Sequence, residues 1–182
     1  MPAAARIPVR IRRASVVDAA RLAEFGRQAF HDTFAADNRP EDMAEYLAAT
    51  FGESQQRAEL LDPSSTYLVA ERAEGDGADL LGYVRLRTGD APDAVRTRPA
   101  VEIARLYARR DMVGQGIGAS LMDACLARAR ELGARVAWLG VWEHNARAIA
   151  FYARWGFADV GSLEFVLGAD VQTDRIMALA LD

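Results

Sequence analysis

The chain has no lysine, since all 22 basic residues among its 182 are arginine. That excludes every mechanism needing a lysine of its own, a Walker lysine on a triphosphate or a Schiff base among them. There is one cysteine, Cys125. It cannot form an internal disulfide, and its place in an apolar helical pattern reads as a buried structural thiol. No apolar run approaches the length of a membrane span, and the basic start "MPAAARIPVRIRRAS" lacks a continuous apolar stretch. Membrane spanning and secretion are not expected, and a cytoplasmic location is. No internal repeat or low-complexity linker divides the sequence, so residues 1–182 are expected to form one domain. With 26 acids against 22 bases the net charge is −4, which argues against a nucleic-acid surface and agrees with a small cationic substrate.

What is present alternates between two periodicities. "PVRIRRAS" reads as a strand ending at Ser15, which with Asp18 makes a helix-capping pair before a helix beginning near Val16. Pro40 opens a second helix, "EDMAEYLAATF", and "ESQQRAELL" forms a short third. "TYLVAERA" and "LLGYVRLRT", joined by the turn "EGDGAD", predict a hairpin. The polar loop "DAPDAVRTRP" then leads to the strand "AVEIARLYA". A helix from Gly116 to about Leu132 follows, then a strand over Ala137 to Trp142, and a helix opened by Asn145. The chain closes on two strands with no helix between them. This order predicts an α+β (mixed α/β) fold.

The stretch "VGQGIGAS" places three alternate glycines between a strand and a helix. Such a turn presents unpaired N–H groups and the positive end of a helix dipole to a phosphate or pyrophosphate, or else is only a tight turn. Gly114-x-Gly116-x-x-Ala119 also satisfies a dinucleotide fingerprint, with Glu143 where a ribose-binding acid would sit. A doubly wound nucleotide domain needs further parallel units after that acid, and too few residues remain.

"LYARRDMVGQGIGASLM" followed by "NARAIAFYARWGF" resembles the acetyl-CoA-binding core of the GNAT superfamily of N-acetyltransferases. Together with "FHDTF", "WLGVWE" and "QTDRIMAL", the likeness extends to the PaiA-type polyamine N-acetyltransferases over nearly the whole chain. The resemblance implies a central, mostly antiparallel sheet with a splayed parallel pair, flanked by helices, and acetyl-CoA as co-substrate without a metal. The family's [QR]-x-x-G-x-[GA] turn has Val113 at its first place here. The phosphates are then held by backbone donors across Val113, Gly114, Gln115, Gly116, Ile117, Gly118 and Ala119. The same likeness lays the pantetheine arm along Leu106, Tyr107 and Ala108, where a backbone N–H serves the oxyanion, and gives Asn145 a bond to the arm.

Acyl transfer from a thioester to an amine needs a neutral amine, a stabilised oxyanion and a proton for the thiolate. Tyr152 matches the family's general acid, with a core aromatic as its structural alternative. Asn145 is equally explained as a helix cap. The resemblance, in which family members carry a carboxylate on the strand before the turn, makes Glu102 the leading base, a pair with Arg105 being its structural alternative, and His31 and His144 follow. A polyamine requires carboxylates and aromatic faces along one cleft. Asp32, Glu102, Glu143 and Asp174 are candidates for the first, and Phe30, Tyr83, Trp142 and Phe165 for the second. The resemblance implies acetylation of spermidine or spermine. The alternatives are a peptide or protein α-amine as substrate, or a non-catalytic acyl-CoA-binding regulator. No nucleic acid or membrane partner is expected, and a homodimer is left open.

Overall fold

The computed structural model describes residues 7–73 and 79–181. Most of the expected turn "EGDGAD" and the first residues of the chain lie outside that set. Strand β1 is Val9–Arg13, and a single 3-10 turn at Val16–Asp18 precedes helix α1, Ala19–Phe34. Asp18 accepts the Ser15 N–H at 2.9 Å, satisfying one donor at the helix start. The same carboxylate takes a two-pronged bond from Arg12, at 2.9 and 2.7 Å. Arg12 also reaches Glu71, which is fully buried and accepts Arg10 and Arg21 as well. These hydrogen bonds, Arg12 first, hold the Glu71 carboxyl down at about 2 against the cost of burial. One acid thereby ties the first strand and the first helix to the sheet.

Pro40 begins α2, Pro40–Thr50, and α3 is Glu53–Leu61. Then come β2, Ser65–Arg72; β3, Leu80–Thr88; β4, Ala100–Ala108; α4, Ile117–Glu131; β5, Val136–Trp142; α5, Ala146–Arg154; β6, Ala158–Leu167; and β7, Asp170–Ala180. The strands form one sheet in the order β1-β2-β3-β4-β5-β7-β6. Every neighbouring pair is antiparallel except β4 with β5. The expected hairpin, β-α-β-α unit and closing antiparallel pair are all present.

Alternation along the strands gives the sheet two buried faces. Leu68, Ala70, Val84 and Leu86 pack with Leu121, Met122 and Cys125 of α4. Burial pushes the Cys125 thiol up to about 12, as befits a structural thiol. On the opposite face Tyr67, Val69 and Tyr83 pack with Leu22 of α1. Gly26 of α1 lets this layer close: a Cβ there would stand 2.6 Å from the Phe51 ring and 2.7 Å from the Tyr83 hydroxyl. Glycine inside a helix costs about 1 kcal/mol against alanine, less than displacing two buried aromatic rings.

The β6–β7 turn docks on the start of α2, where Ala169 N–H donates to Asp42 at 2.9 Å. Leu167 enters the same cluster as Phe30, Met43, Leu47 and Phe51. The first two helices and the last hairpin therefore wall one end of the sheet's central opening.

Candidate active site

The parallel pairing of β4 with β5 covers only Ala100 with Val136, Val101 with Ala137 and Glu102 with Trp138. Beyond it β4 stays on β3 as far as Ala108, and β5 stays on β7 as far as Trp142. The two strands separate, leaving backbone donors and acceptors on their facing edges. A register shift opposite Arg85 and Leu86 makes Ala104 an extra residue in β4. Such a bulge bends the strand at the point where the wedge opens. The wedge belongs to a cleft of about 1020 Å³.

Leu106, Tyr107, Ala108, Asn145 and Tyr152 line this cleft, as do Phe30, Asp32, Trp142, Phe165 and Asp174. The Tyr152 hydroxyl makes no hydrogen bond among the described residues, while its ring packs against Phe151 and Phe157. Burial, with Cys125 a smaller contributor, raises its phenol above the ordinary value. Asn145 caps α5 by accepting the Ala148 N–H at 3.1 Å, which leaves its amide nitrogen for a ligand.

Asp174 on β7 stands opposite Trp142. It has neither ion pair nor hydrogen bond among the described residues, and burial pushes its carboxyl up to about 6. Gly140 leaves room beside it, since a Cβ there would lie 3.1 Å from Asp174 Oδ2. Glu24 and Asp32 also line the cleft, their carboxylates without an arginine partner among the described residues and that of Asp32 accepting a bond from Gln28 at 2.7 Å.

The cleft arginines are divided differently. Arg105 bonds both oxygens of buried Glu59, at 2.7 and 3.1 Å, and lies over the Phe51 ring. Arg85 meets the same carboxylate at 2.9 Å, and Tyr67 donates to it as well. Burial works to raise the Glu59 carboxyl, but Arg105 and its neighbours hold it below the usual carboxylate range. Arg109 is bound by Asp79 at 3.0 Å and Asp111 at 2.6 Å. Arg110 and Arg147 have no carboxylate partner among the described residues.

Past Ala108 the chain makes a 3-10 turn at Arg110–Met112 and enters α4 through Gly114 and Gly116, at φ of +88° and +85°. A side chain at such angles is strained, so both positions require glycine. The N–H groups of Val113 and Gln115 are already donated, to Arg110 and Met112 carbonyls. Those of Gly114, Gly116, Ile117, Gly118 and Ala119 have no acceptor among the described residues. Five of the seven expected backbone donors are thus open, beside the start of a 15-residue helix.

Glu102, Tyr83, Glu143, His31, His144 and the glycine turn at residues 113–119 are not among the residues that line the cleft. Glu102 is held by Arg87 at 2.6 Å, so its partner is Arg87 and not Arg105. Tyr83 is fully buried beneath Phe25 and Tyr107. Glu143, just past β5, lies 3.9 Å from His144. Sequence reasoning missed Glu24, Tyr46 and Arg147, which line the cleft. No local signal marks them: Tyr46 is an aromatic within the helical pattern of α2, and Glu24 and Arg147 are single charges on α1 and α5.

Among the described residues no cluster of three histidine, cysteine or acidic side chains is arranged to hold a metal, and no helix is long and apolar enough to cross a membrane. The acetyltransferase (GNAT) family matches residues 27–157. The N-acetyltransferase of the pepI 3′ region of Lactobacillus delbrueckii subsp. lactis is 36% identical over 95% of this chain and 98% of its own. Among solved structures, PaiA N-acetyltransferase of Thermoplasma acidophilum, in complex with coenzyme A, superposes with a TM-score of 0.74 over 96% of this chain and 99% of that one. At 20% identity that likeness is one of fold. The acetyltransferase yncA of Salmonella typhimurium, solved with acetyl-CoA, is 26% identical with a TM-score of 0.63 over 96% and 94%. The chain belongs to the acetyltransferase (GNAT) family and is an acetyl-CoA-dependent N-acetyltransferase.

Proposed function

We propose that residues 1–182 act as one catalytic unit that acetylates a primary amine of a small polycation, spermidine or spermine. One observation carries the reading: Asp174, a carboxylate raised toward neutrality, shares a cleft with the Tyr152 phenol, and neither has a hydrogen-bond partner among the described residues. The charge distribution supports the substrate class. The carboxylates of Glu24, Asp32 and Asp174 have no arginine partner among the described residues and accompany the faces of Phe30, Trp142 and Phe165, a combination that favours alkylammonium groups.

In this reading the open edge of β4 at Leu106–Ala108 pairs with the pantetheine arm as an added strand would, and the five free N–H groups of the glycine turn receive the pyrophosphate. A backbone N–H in the wedge donates to the thioester oxygen as charge grows on it. Asp174 takes one proton from the substrate ammonium, the role that sequence reasoning gave to Glu102. A carboxyl titrating at about 6 is ionised at neutral pH yet more basic than an ordinary aspartate. The amine nitrogen then bonds to the carbonyl carbon, the carbon–sulfur bond breaks, and Tyr152 passes its hydroxyl proton to the sulfur. The second proton leaving nitrogen restores Tyr152, and Asp174 releases the first to solvent, one net proton per turnover.

A panel of amines with acetyl-CoA, followed by thiol release, tests this. Spermidine and spermine should exceed monoamines and peptides. Efficient acetylation of peptide α-amines beside inert polyamines would refute the substrate, and acetyl-CoA binding with no acetylated amine would refute catalysis.

A further inference from the structure

The turn that receives the phosphates in this reading has no polar side chain at its first position: Val113 is apolar and 56% exposed. A guanidinium from elsewhere would fill that role, and most cleft arginines are committed. Arg21 is bound to Glu71, Arg105 to Glu59 and Arg109 to Asp79 and Asp111. Arg110 donates across to the Asp32 carbonyl of α1 at 3.4 Å. Arg147 alone among the cleft-lining arginines has no protein partner among the described residues.

Its place on α5 gives it a direction. Arg147 stands four residues before Phe151, on the same helix face, and long side chains on a helix lean toward its N-terminus. Phe151 touches the first turn of α4, where a Cβ on Gly118 would lie 3.6 Å from its ring. Arg147 is therefore one helical turn from the contact between α5 and the glycine turn, on the face that looks toward it. The N-terminus of α5 is fixed there by the Asn145 cap.

We infer that Arg147 holds the pyrophosphate of acetyl-CoA, supplying from α5 the charged donor that position 113 does not. A guanidinium matches phosphate oxygens with two parallel bonds and stays charged at every working pH. The inference rests on the reading of the glycine turn as the phosphate seat, and the ligand series below separates the two.

Calorimetry with acetyl-CoA, acetyl-dephospho-CoA and S-acetylpantetheine tests it on wild type and Arg147→Gln. The substitution should weaken acetyl-CoA about tenfold or more, weaken acetyl-dephospho-CoA equally, and leave S-acetylpantetheine unchanged. Val113→Arg in the Arg147→Gln background should recover most of the loss. If the loss vanishes with acetyl-dephospho-CoA, Arg147 meets the 3′-phosphate and the pyrophosphate assignment is wrong. An equal loss with S-acetylpantetheine would mean a structural role. Unchanged acetyl-CoA affinity in Arg147→Gln would overturn the inference while leaving the phosphate seat intact. If wild type itself binds S-acetylpantetheine as tightly as acetyl-CoA, the seat fails with it.

Discussion

Arg87 and Glu102 face each other across the β3–β4 register, 2.6 Å apart, and that ion pair takes the strand carboxylate away from the cleft. A half-exposed pair of this kind contributes about 0–1 kcal/mol to stability. Glu102→Gln should lower stability by no more than that and leave kcat within about twofold of wild type. Steady-state kinetics checks it, and a hundredfold fall in kcat would return the base role to Glu102.

Tyr152→Phe removes a hydroxyl that no described residue bonds. A positioned general acid contributes on the order of 10²–10⁴ in rate, so kcat should fall within that range while Tm and acetyl-CoA affinity hold. Near-normal kcat with chemistry rate-limiting would remove Tyr152 from the mechanism.

Gly114 and Gly133 share a left-handed backbone, at φ of +88° and +76°, and a Cβ at either meets nothing within 4 Å. Alanine at each should cost a similar 1–2 kcal/mol of stability from backbone strain. Only Gly114→Ala places a methyl where a phosphate would approach, so only it should weaken acetyl-CoA in calorimetry. Equal affinities for the two variants would remove the turn from the binding site.

The local elements were legible because their signals are local. Pro40 at a helix start, Asn145 as a cap and alternate glycines before α4 each act within one turn of chain, and each element begins within a few residues of where the pattern put it. The cleft was less legible because it is made by separation of strands. Glu102 occupies the last paired position before the wedge opens, so a shift of very few residues decides whether a β4 side chain meets Arg87 or the cleft. Tyr83 faces the same side as Tyr107 but lies deeper, under Phe25, a depth that the alternation of strand residues does not encode. Asp174 was marked for its charge. Its burial depends on β7 inserting between β5 and β6, and on Gly140 of β5 lying beside it, neither of which is written near residue 174.

That burial has a thermodynamic sign. Desolvation pushes the Asp174 carboxyl up to about 6 in the folded protein, above the 3.8 of a free aspartate. The folded state therefore binds the proton more tightly, and stability falls as pH rises from about 4 through 6. Asp174→Asn should stabilise the protein at pH 8 by about 1–2 kcal/mol, allowing for partial solvent screening, and by little at pH 4. Urea unfolding at both pH values reads this directly, and a destabilised variant at pH 8 would mean that Asp174 has a cationic partner in the fold.

The dependence of kcat on pH at saturating acetyl-CoA and spermidine, for wild type and Asp174→Asn, bears most directly on the proposed chemistry. A base must be ionised to act, so wild-type kcat should rise with pH through about 6 and then level. In Asp174→Asn that limb should vanish, with kcat on the plateau lower by on the order of 10²–10⁴. A variant that keeps both the wild-type rate and the same limb near pH 6 would contradict the assignment of Asp174 as the base.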